Sequence, residues 1–220
     1  MLRLRNYVFA AAAALTLIHS APAFAQDEGQ SSQDAKDAQL KKEFGSLVGP
    51  LPAMKNAGPC PFVKTLYDAA RYIEFKDDKP ASENVVYSGE IEKIASNCEY
   101  RGDEPIKVQM RILFELGRGP QARSDHKTYR YWVAVTDRNN AVLAKQWFDL
   151  PVTFPAGRHR VAVTDTLKGI RIPRADARVS GANFEVLTGF EVTPAMADFN
   201  RQGKRFLANA GEAGPAPKKP

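Results

Sequence analysis

The clearest pattern in the chain is an alternation of apolar and polar positions over 106–116. Every second residue of this segment is apolar: Ile106, Val108, Met110, Ile112, Phe114 and Leu116. Successive side chains of a strand point to opposite faces of the sheet, so the pattern predicts a β-strand with one buried face. The segment 117–120, Gly-Arg-Gly-Pro, predicts a turn that ends this strand.

Segments rich in β-branched and aromatic residues predict further strands on both sides of the first. They are 85–94, 129–136, 142–152, 158–164 and 183–192. Gly89 predicts a bulge in the earliest of them. Polar turns at 101–105 and 137–140 separate neighbouring strands, and the second predicts a hairpin because Asp and Asn tolerate left-handed backbone conformations.

This series of short strands without alternating helices predicts a mainly β domain, an antiparallel immunoglobulin-like β-sandwich, with a barrel as the alternative. Two short helices are expected at its ends. Apolar residues at helical spacing behind Pro61 predict an amphipathic helix over 61–74. Thr193 and Pro194 predict the capped start of a second helix, and Gly203 predicts its end.

The N-terminal residues 1–25 have the three zones of a secretory signal peptide. Arg3 and Arg5 precede an apolar run at 7–18, and Ala-Phe-Ala at 23–25 fits the cleavage pattern. A bilayer-spanning helix takes roughly 20 apolar residues, and this run is shorter. We expect cleavage after Ala25, a periplasmic protein and no integral membrane segment afterwards; an uncleaved anchor is the alternative.

The chain that remains after cleavage suits one domain with two polar ends. Its expected parts are a flexible leader at 26–58, the β-sandwich domain at 59–207 and a disordered tail at 208–220. The loss of Arg3 and Arg5 lowers the formal charge by two, from +6 to +4. A surplus of this size aids solubility and permits weak attraction to anionic surfaces, but it does not predict nucleic-acid binding.

Cys60 and Cys98 are the two cysteines of the chain, and both follow the predicted cleavage site. An oxidising compartment favours a disulfide between them, which would hold the first predicted helix against the sandwich. A metal site and a catalytic thiol are the alternatives. The wide spacing without clustered histidines argues against the first, and the second would need a basic partner.

No complete catalytic, cofactor or metal-binding motif occurs in the sequence, so we predict no catalytic residues, no cofactor and no metal. Ser124 and Lys127 have the S-x-x-K spacing of penicillin-recognising enzymes, but the S-D-N and K-T-G elements of those enzymes are missing. A hydrolase that acts on an envelope polymer is the alternative. Its candidate residues would be Ser124, His126, Asp137, Glu90 and Glu92.

A basic segment at 158–178 is the one feature that suggests a ligand. Its cationic residues are Arg158, Arg160, Lys168, Arg171, Arg174 and Arg178. Asp165 and Asp176 are the two acidic residues in the same range. The excess predicts contact with an anionic envelope component or an acidic partner protein. An ordinary solvated surface is the alternative interpretation.

Several stretches of the chain resemble a family of uncharacterised bacterial secreted proteins known mainly by their signal sequences. The stretches are 60–61, 67–71, 117–120, 131–136, 184–190 and 200–206. Relatives are sometimes described with twin-arginine signals, whereas here Leu4 separates the two arginines. The resemblance implies a periplasmic location and no particular activity.

Together these observations predict a secreted, non-enzymatic binding or scaffolding module of the periplasm or cell envelope. One face or one edge strand of the sandwich would contact an envelope protein or an anionic envelope component. The alternatives are the hydrolase described above and a purely structural envelope protein without a specific ligand.

Overall fold

The computed structural model of the protein describes residues 58–204, together with Ala38, Lys42, Leu51 and Met54. The predicted signal peptide at 1–25 and the predicted tail at 208–220 lie outside the described residues, as does most of the predicted leader. In the part of the chain that is described, no helix is long and apolar enough to cross a membrane.

Within 58–204 the fold consists of eight strands and one α-helix, joined by turns and short 3₁₀ segments. In chain order they are β1 (Phe62–Thr65), β2 (Arg71–Phe75), β3 (Val85–Glu99), β4 (Ile106–Arg118), β5 (His126–Asp137), β6 (Val142–Thr153), β7 (Arg160–Ile172), β8 (Phe184–Phe190) and α1 (Pro194–Arg201). The strands form two four-stranded sheets, ordered β1-β8-β5-β6 and β2-β3-β4-β7. Every pair is antiparallel except β1 with β8. The predicted mainly β fold is confirmed.

The core lies between the two sheets, where the predicted alternation of β4 is confirmed. The six apolar residues of its inner face are each at most 2% exposed. Phe114 of β4 meets Tyr131 of the other sheet with ring centroids 5.0 Å apart. Full burial of one such side chain contributes about 1.5–3 kcal/mol, so this strand supplies much of the contact that holds the sheets together.

The helix predicted at 61–74 is wrong. The segment instead forms β1, a 3₁₀ turn at Tyr67–Ala69, and β2. β1 pairs with β8, placing Val63 opposite Val186, and β2 pairs with β3. The apolar spacing satisfied a helical period, but the backbone groups of two short segments are paired at the edges of both sheets instead. Tertiary pairing therefore overrides the local pattern.

The predicted disulfide between Cys60 and Cys98 is confirmed. Since β1 replaces the predicted helix, the bridge has a different structural role from the one expected. Cys60 directly precedes Pro61 and β1 of one sheet, whereas Cys98 belongs to β3 of the other sheet. The bond therefore joins the two sheets covalently.

The bulge predicted at Gly89 is also misplaced. Gly89 pairs regularly with Tyr72 and Leu116, and the register of β3 shifts between Ile91 and Lys93. A Cβ at position 89 would lie 2.9 Å from Cδ2 of Leu116, so the glycine makes room for core side chains. The second predicted helix is confirmed as α1, where Thr193 Oγ1 accepts a hydrogen bond from the Met196 amide.

Candidate binding cleft

The six basic residues predicted to contact an anion do not form one patch. Strand β7 separates Arg158, which precedes it, from Arg171 near its end. At roughly 3.3 Å per residue, eleven residues of strand span about 36 Å. Three members of the set, Arg160, Arg174 and Arg178, are already engaged with other groups of the protein.

Arg174 holds two loops together. Its Nε donates to the Glu104 carbonyl at 2.7 Å, and Nη1 donates to the Val179 carbonyl at 2.9 Å. A further hydrogen bond runs from Nη2 to the carbonyl oxygen of Gly102. The guanidinium also lies over the ring of Tyr100. These contacts use most of the donors of the side chain, so its role is structural.

Arg160 and Arg178 are paired with carboxylates. Arg160 donates from Nε and Nη2 to both oxygens of Glu115, a residue that is 8% exposed. Arg178 donates to Asp176, and its guanidinium lowers the pKa of that carboxyl through these hydrogen bonds. Arg160 cannot present its charge to a ligand without breaking its pair with the buried Glu115, whereas the pair of Arg178 with Asp176 is exposed to solvent.

Lys168 and Arg171 are the two members of the set that line a cavity. The cavity has a volume of about 540 Å³ and lies between β6 and β7, the strands that end the two sheets on the same side. Its apolar lining includes Val133, Val135, Phe148, Leu167 and Ile170. We call this space the β6/β7 cleft.

The lining of the β6/β7 cleft carries positive charge only. Lys145, Lys168 and Arg171 contribute cations, and no Asp or Glu is among its lining residues. Lys168 and Arg171 are exposed and form no ion pair within the described part of the chain. A cavity with apolar walls and a few charged groups at its rim is a typical ligand site, and this volume lies within the usual range.

Strand β6 is unusually open along its first half. Residues 142–147 are all exposed, including Leu143 at 53% and Trp147 at 44%. Lys145 lies on the outer face of the sheet, with Nζ 4.3 Å from the Trp132 ring centroid and 5.1 Å from that of Trp147. These two contacts hold the ammonium group above the outer face, so Lys168 and Arg171 provide the free charge at the rim.

A tyrosine–aspartate pair stands beside the cleft. Phe148, which lines the cleft, stacks on Tyr131 at 5.2 Å, and the Tyr131 hydroxyl donates to Asp165 Oδ2 at 2.6 Å. The pKa of Tyr131 is raised, mainly by burial of the phenol and secondly by this hydrogen bond to Asp165. Asp165, the single acidic residue of β7, is therefore held by a hydrogen bond from the Tyr131 phenol.

Sequence reasoning missed a second polar cluster, between β2 and α1. Lys127 Nζ lies 2.6 Å from Glu74 Oε2, and the Tyr72 hydroxyl donates to the same oxygen at 2.8 Å. Burial, together with the hydrogen bond to Glu74, raises the pKa of Tyr72. The Lys127 ammonium neutralises the Glu74 carboxylate beside a cavity of about 470 Å³. No sequence motif predicts the cluster, because Lys127 belongs to β5 of one sheet and Glu74 to β2 of the other.

The residues of the hydrolase alternative are only partly brought together. Ser124 Oγ accepts a hydrogen bond from the backbone amide of His126, not from its ring. The ring nitrogens of His126 contact Thr153 Oγ1 at 2.9 Å and Asp125 Oδ1 at 3.3 Å, but the side chain is 70% exposed.

The acidic members of that set lie elsewhere. Asp137 accepts hydrogen bonds from two amides of its own turn, at the far end of β5 from His126. Glu90 and Glu92 belong to β3 of the opposite sheet. Within the described residues, no group of three or more His, Cys, Asp or Glu side chains is placed to hold a metal ion.

Comparison with known proteins adds only distant structural similarity. No family model and no curated protein matches the chain. Among solved structures, the chain is similar to the variable (V) domain of the AgI/II polypeptide BspA of Streptococcus agalactiae. The match has 11% identity and a TM-score of 0.18, and it covers 58% of this chain and 75% of that one. No conclusion about this protein rests on a similarity of that level.

Proposed function

We propose that the protein is a non-enzymatic binding module of the bacterial cell envelope, and that it holds its partner in the β6/β7 cleft. The observation that carries this proposal is the combination of apolar walls with the free cations Lys168 and Arg171 at the rim. Such a site recognises a ligand that has an apolar body and negative charge.

The secreted location forms part of the proposal. It is supported by the signal-like zones of residues 1–25 and by the bond between Cys60 and Cys98, which is the expected state of a cysteine pair outside the cytoplasm. The proposed family, of bacterial secreted proteins, rests on the resemblance of the short stretches named above.

The binding role does not depend on an immunoglobulin-like assignment of the sandwich. In the immunoglobulin order, the third strand moves to the opposite sheet. Here β2, β3 and β4 are consecutive in the chain and lie side by side in one sheet. What matters for binding is that β6 and β7 end their sheets on the same side and leave the cleft between them.

Photocrosslinking in cells tests the proposal. A benzophenone amino acid at Gln146, which lines the cleft and is exposed, should give a covalent adduct with an envelope component. The same group at Lys79, an exposed residue between β2 and β3, is the matched control and should give none. Equal adducts at both sites, or none at Gln146, would contradict the proposed function.

A further inference from the structure

We propose that the occupant of the β6/β7 cleft is an extended peptide segment with alternating apolar and acidic residues, which adds as a new strand to the free edge of β6. This inference rests on the binding role proposed for the cleft.

Strand β6 offers one regular stretch of open edge. Edge strands expose unpaired N–H and C=O groups, and proteins protect them with bulges, prolines or charges. The register of β6 with β5 shifts at Leu143 and then runs unbroken through Leu150, after which comes Pro151. The stretch 144–150 is long enough for a partner strand of ordinary length.

The neighbouring edge of β7 is protected where it borders the cleft. Val108 pairs with Ile170 and Met110 pairs with Leu167, so Lys168 and Gly169 together lie opposite one residue of β4. This is a bulge, which interrupts the regular edge that a partner strand would need. Strand addition is therefore expected on β6 and not on β7.

Inward-pointing apolar residues of β7 are left uncovered by the opposite sheet. Leu167 and Ile170 pair with core residues of β4 and so point toward the opposite sheet, yet both are only partly buried. The opposite sheet ends at β6 and leaves them exposed to the cleft. A strand added to β6 would extend that sheet, and its inner apolar side chains would cover both residues.

The charge of the cleft lining favours an acidic partner. Lys168 and Arg171 lie beside Leu167 and Ile170 in β7, and no carboxylate lines the cleft. The apolar residues of a strand added to β6 would point into the cleft, and its acidic residues would point to the outer face, on the side of Lys145. The surplus of positive charge from Lys145, Lys168 and Arg171 therefore favours an acidic strand over a basic one. A fatty acyl chain could fill the apolar volume but would leave the main-chain groups of β6 without partners. The peptide is the occupant that uses all three features.

The test uses a blocked heptapeptide that alternates valine with glutamate, titrated against the mature protein. Binding is followed by calorimetry and by amide hydrogen exchange of 144–150. We expect saturable binding, and we expect exchange of the edge-facing amides of β6 to slow by about tenfold or more. A matched peptide with lysine in place of glutamate should bind at least about tenfold more weakly.

Two further peptides, N-methylated at the valines or at the glutamates, keep the side chains but block one edge each. If the peptide binds as an added strand, at least one of the two N-methylated peptides must lose affinity. If both bind as tightly as the unmethylated heptapeptide, strand addition is overturned. Dodecanoate is the probe for a fatty acyl occupant. If dodecanoate binds in the cleft and the valine–glutamate heptapeptide does not bind, the peptide class is overturned and the binding role remains intact. Self-association of the protein through 144–150, seen by sedimentation and exchange, would identify a second copy as the occupant and overturn the inference.

Absence of binding by every probe, together with no crosslink at Gln146, would overturn the binding role itself. A crosslinked partner at Gln146 that is not a polypeptide would overturn only the peptide class. The two proposals therefore fail in distinguishable ways.

Discussion

The guanidinium carbon of Arg174 lies 4.7 Å from the centre of the Tyr100 ring. The Tyr100 hydroxyl donates to the Pro59 carbonyl at 2.8 Å and accepts from the Gly181 amide at 3.1 Å. Through these contacts one tyrosine connects the chain before β1, the segment after β3 and the loop before β8. Arg174 covers its face, so this member of the basic segment stabilises the fold and is not available to a ligand.

Arg174→Lys should therefore reduce the free energy of unfolding by about 1–3 kcal/mol, because lysine cannot reproduce the planar contacts to several carbonyl groups. Urea denaturation measures the effect. Arg178→Lys is the matched control, since Arg178 is 91% exposed and should give a change within about 0.5 kcal/mol. Equal stability of the two variants would show that the Arg174 contacts contribute nothing.

Arg160→Ala should destabilise the protein more strongly than an exposed ion pair would suggest. The Glu115 side chain is only 11% exposed and would lose both of its hydrogen bonds from Arg160. Removal of one partner of a buried pair costs about 3–5 kcal/mol, and the lower end is expected because the Arg160 side chain is 35% exposed.

Glu115→Gln added to Arg160→Ala should recover part of that loss, because the uncompensated charge is then removed. Thermal and urea unfolding of the two single variants and the double variant measure the coupling. A double variant whose loss equals the sum of the single losses would contradict the pairing.

The double substitution Cys60→Ser, Cys98→Ser should lower the unfolding free energy by about 3–4 kcal/mol, since it reopens a long loop in the unfolded state. The two positions are 38 residues apart in sequence. The urea midpoint of the variant, compared with that of the oxidised wild-type protein, measures the effect, and the reduced wild-type protein is the control that should match the variant. An unchanged midpoint relative to the oxidised wild type would contradict the role of the bridge in joining the sheets.

The protein should lose stability steeply above about pH 10, the ordinary range of tyrosine ionisation. Burial raises the pKa of Tyr72, Tyr129 and Tyr131, so the folded state keeps protons that the unfolded chain releases. Stability from these groups is complete below their unfolded pKa and falls as pH rises beyond it. Each contributes a slope of about 1.4 kcal/mol per pH unit in that range.

Tyr131→Phe should reduce this alkaline slope by about one third, even though loss of the hydrogen bond to Asp165 lowers stability at pH 7. Urea denaturation at several pH values from 8 upward gives the slope. A variant with the wild-type slope would contradict the burial of the phenol.

The sequence predicts the strands well where one face is buried along their length. The alternation of β4 survives because its inner residues meet the opposite sheet at every second position. Prediction from the sequence fails at 61–74, where Val63 and Ile73 have helical spacing but lie in separate short strands of different sheets. A one-dimensional period does not contain the information about which neighbour will pair with each segment.

The candidate site shows the same limit. The basic segment is visible in the sequence, but whether each cation is free depends on partners far along the chain, such as Glu115 for Arg160. The β6/β7 cleft arises from the order of strands in two sheets. Only that order makes β6 and β7 the edges that face each other across open space, and no local pattern encodes it.

The most direct measurement compares two charge reversals of equal size. Lys168→Glu with Arg171→Glu removes the free cations of the cleft, whereas Arg123→Glu with Arg158→Glu reverses two exposed charges in the loops before β5 and β7, neither of which lines the cleft. At about 0.15 M salt, charges further apart than roughly 8 Å are largely screened.

Calorimetric titration of both double variants with the valine–glutamate heptapeptide decides between a localised site and a general surface charge. We expect the cleft variant to lose at least about tenfold in affinity and the distant variant to change by less than about twofold. An equal loss in both variants, or full affinity in the cleft variant, would contradict binding in the β6/β7 cleft.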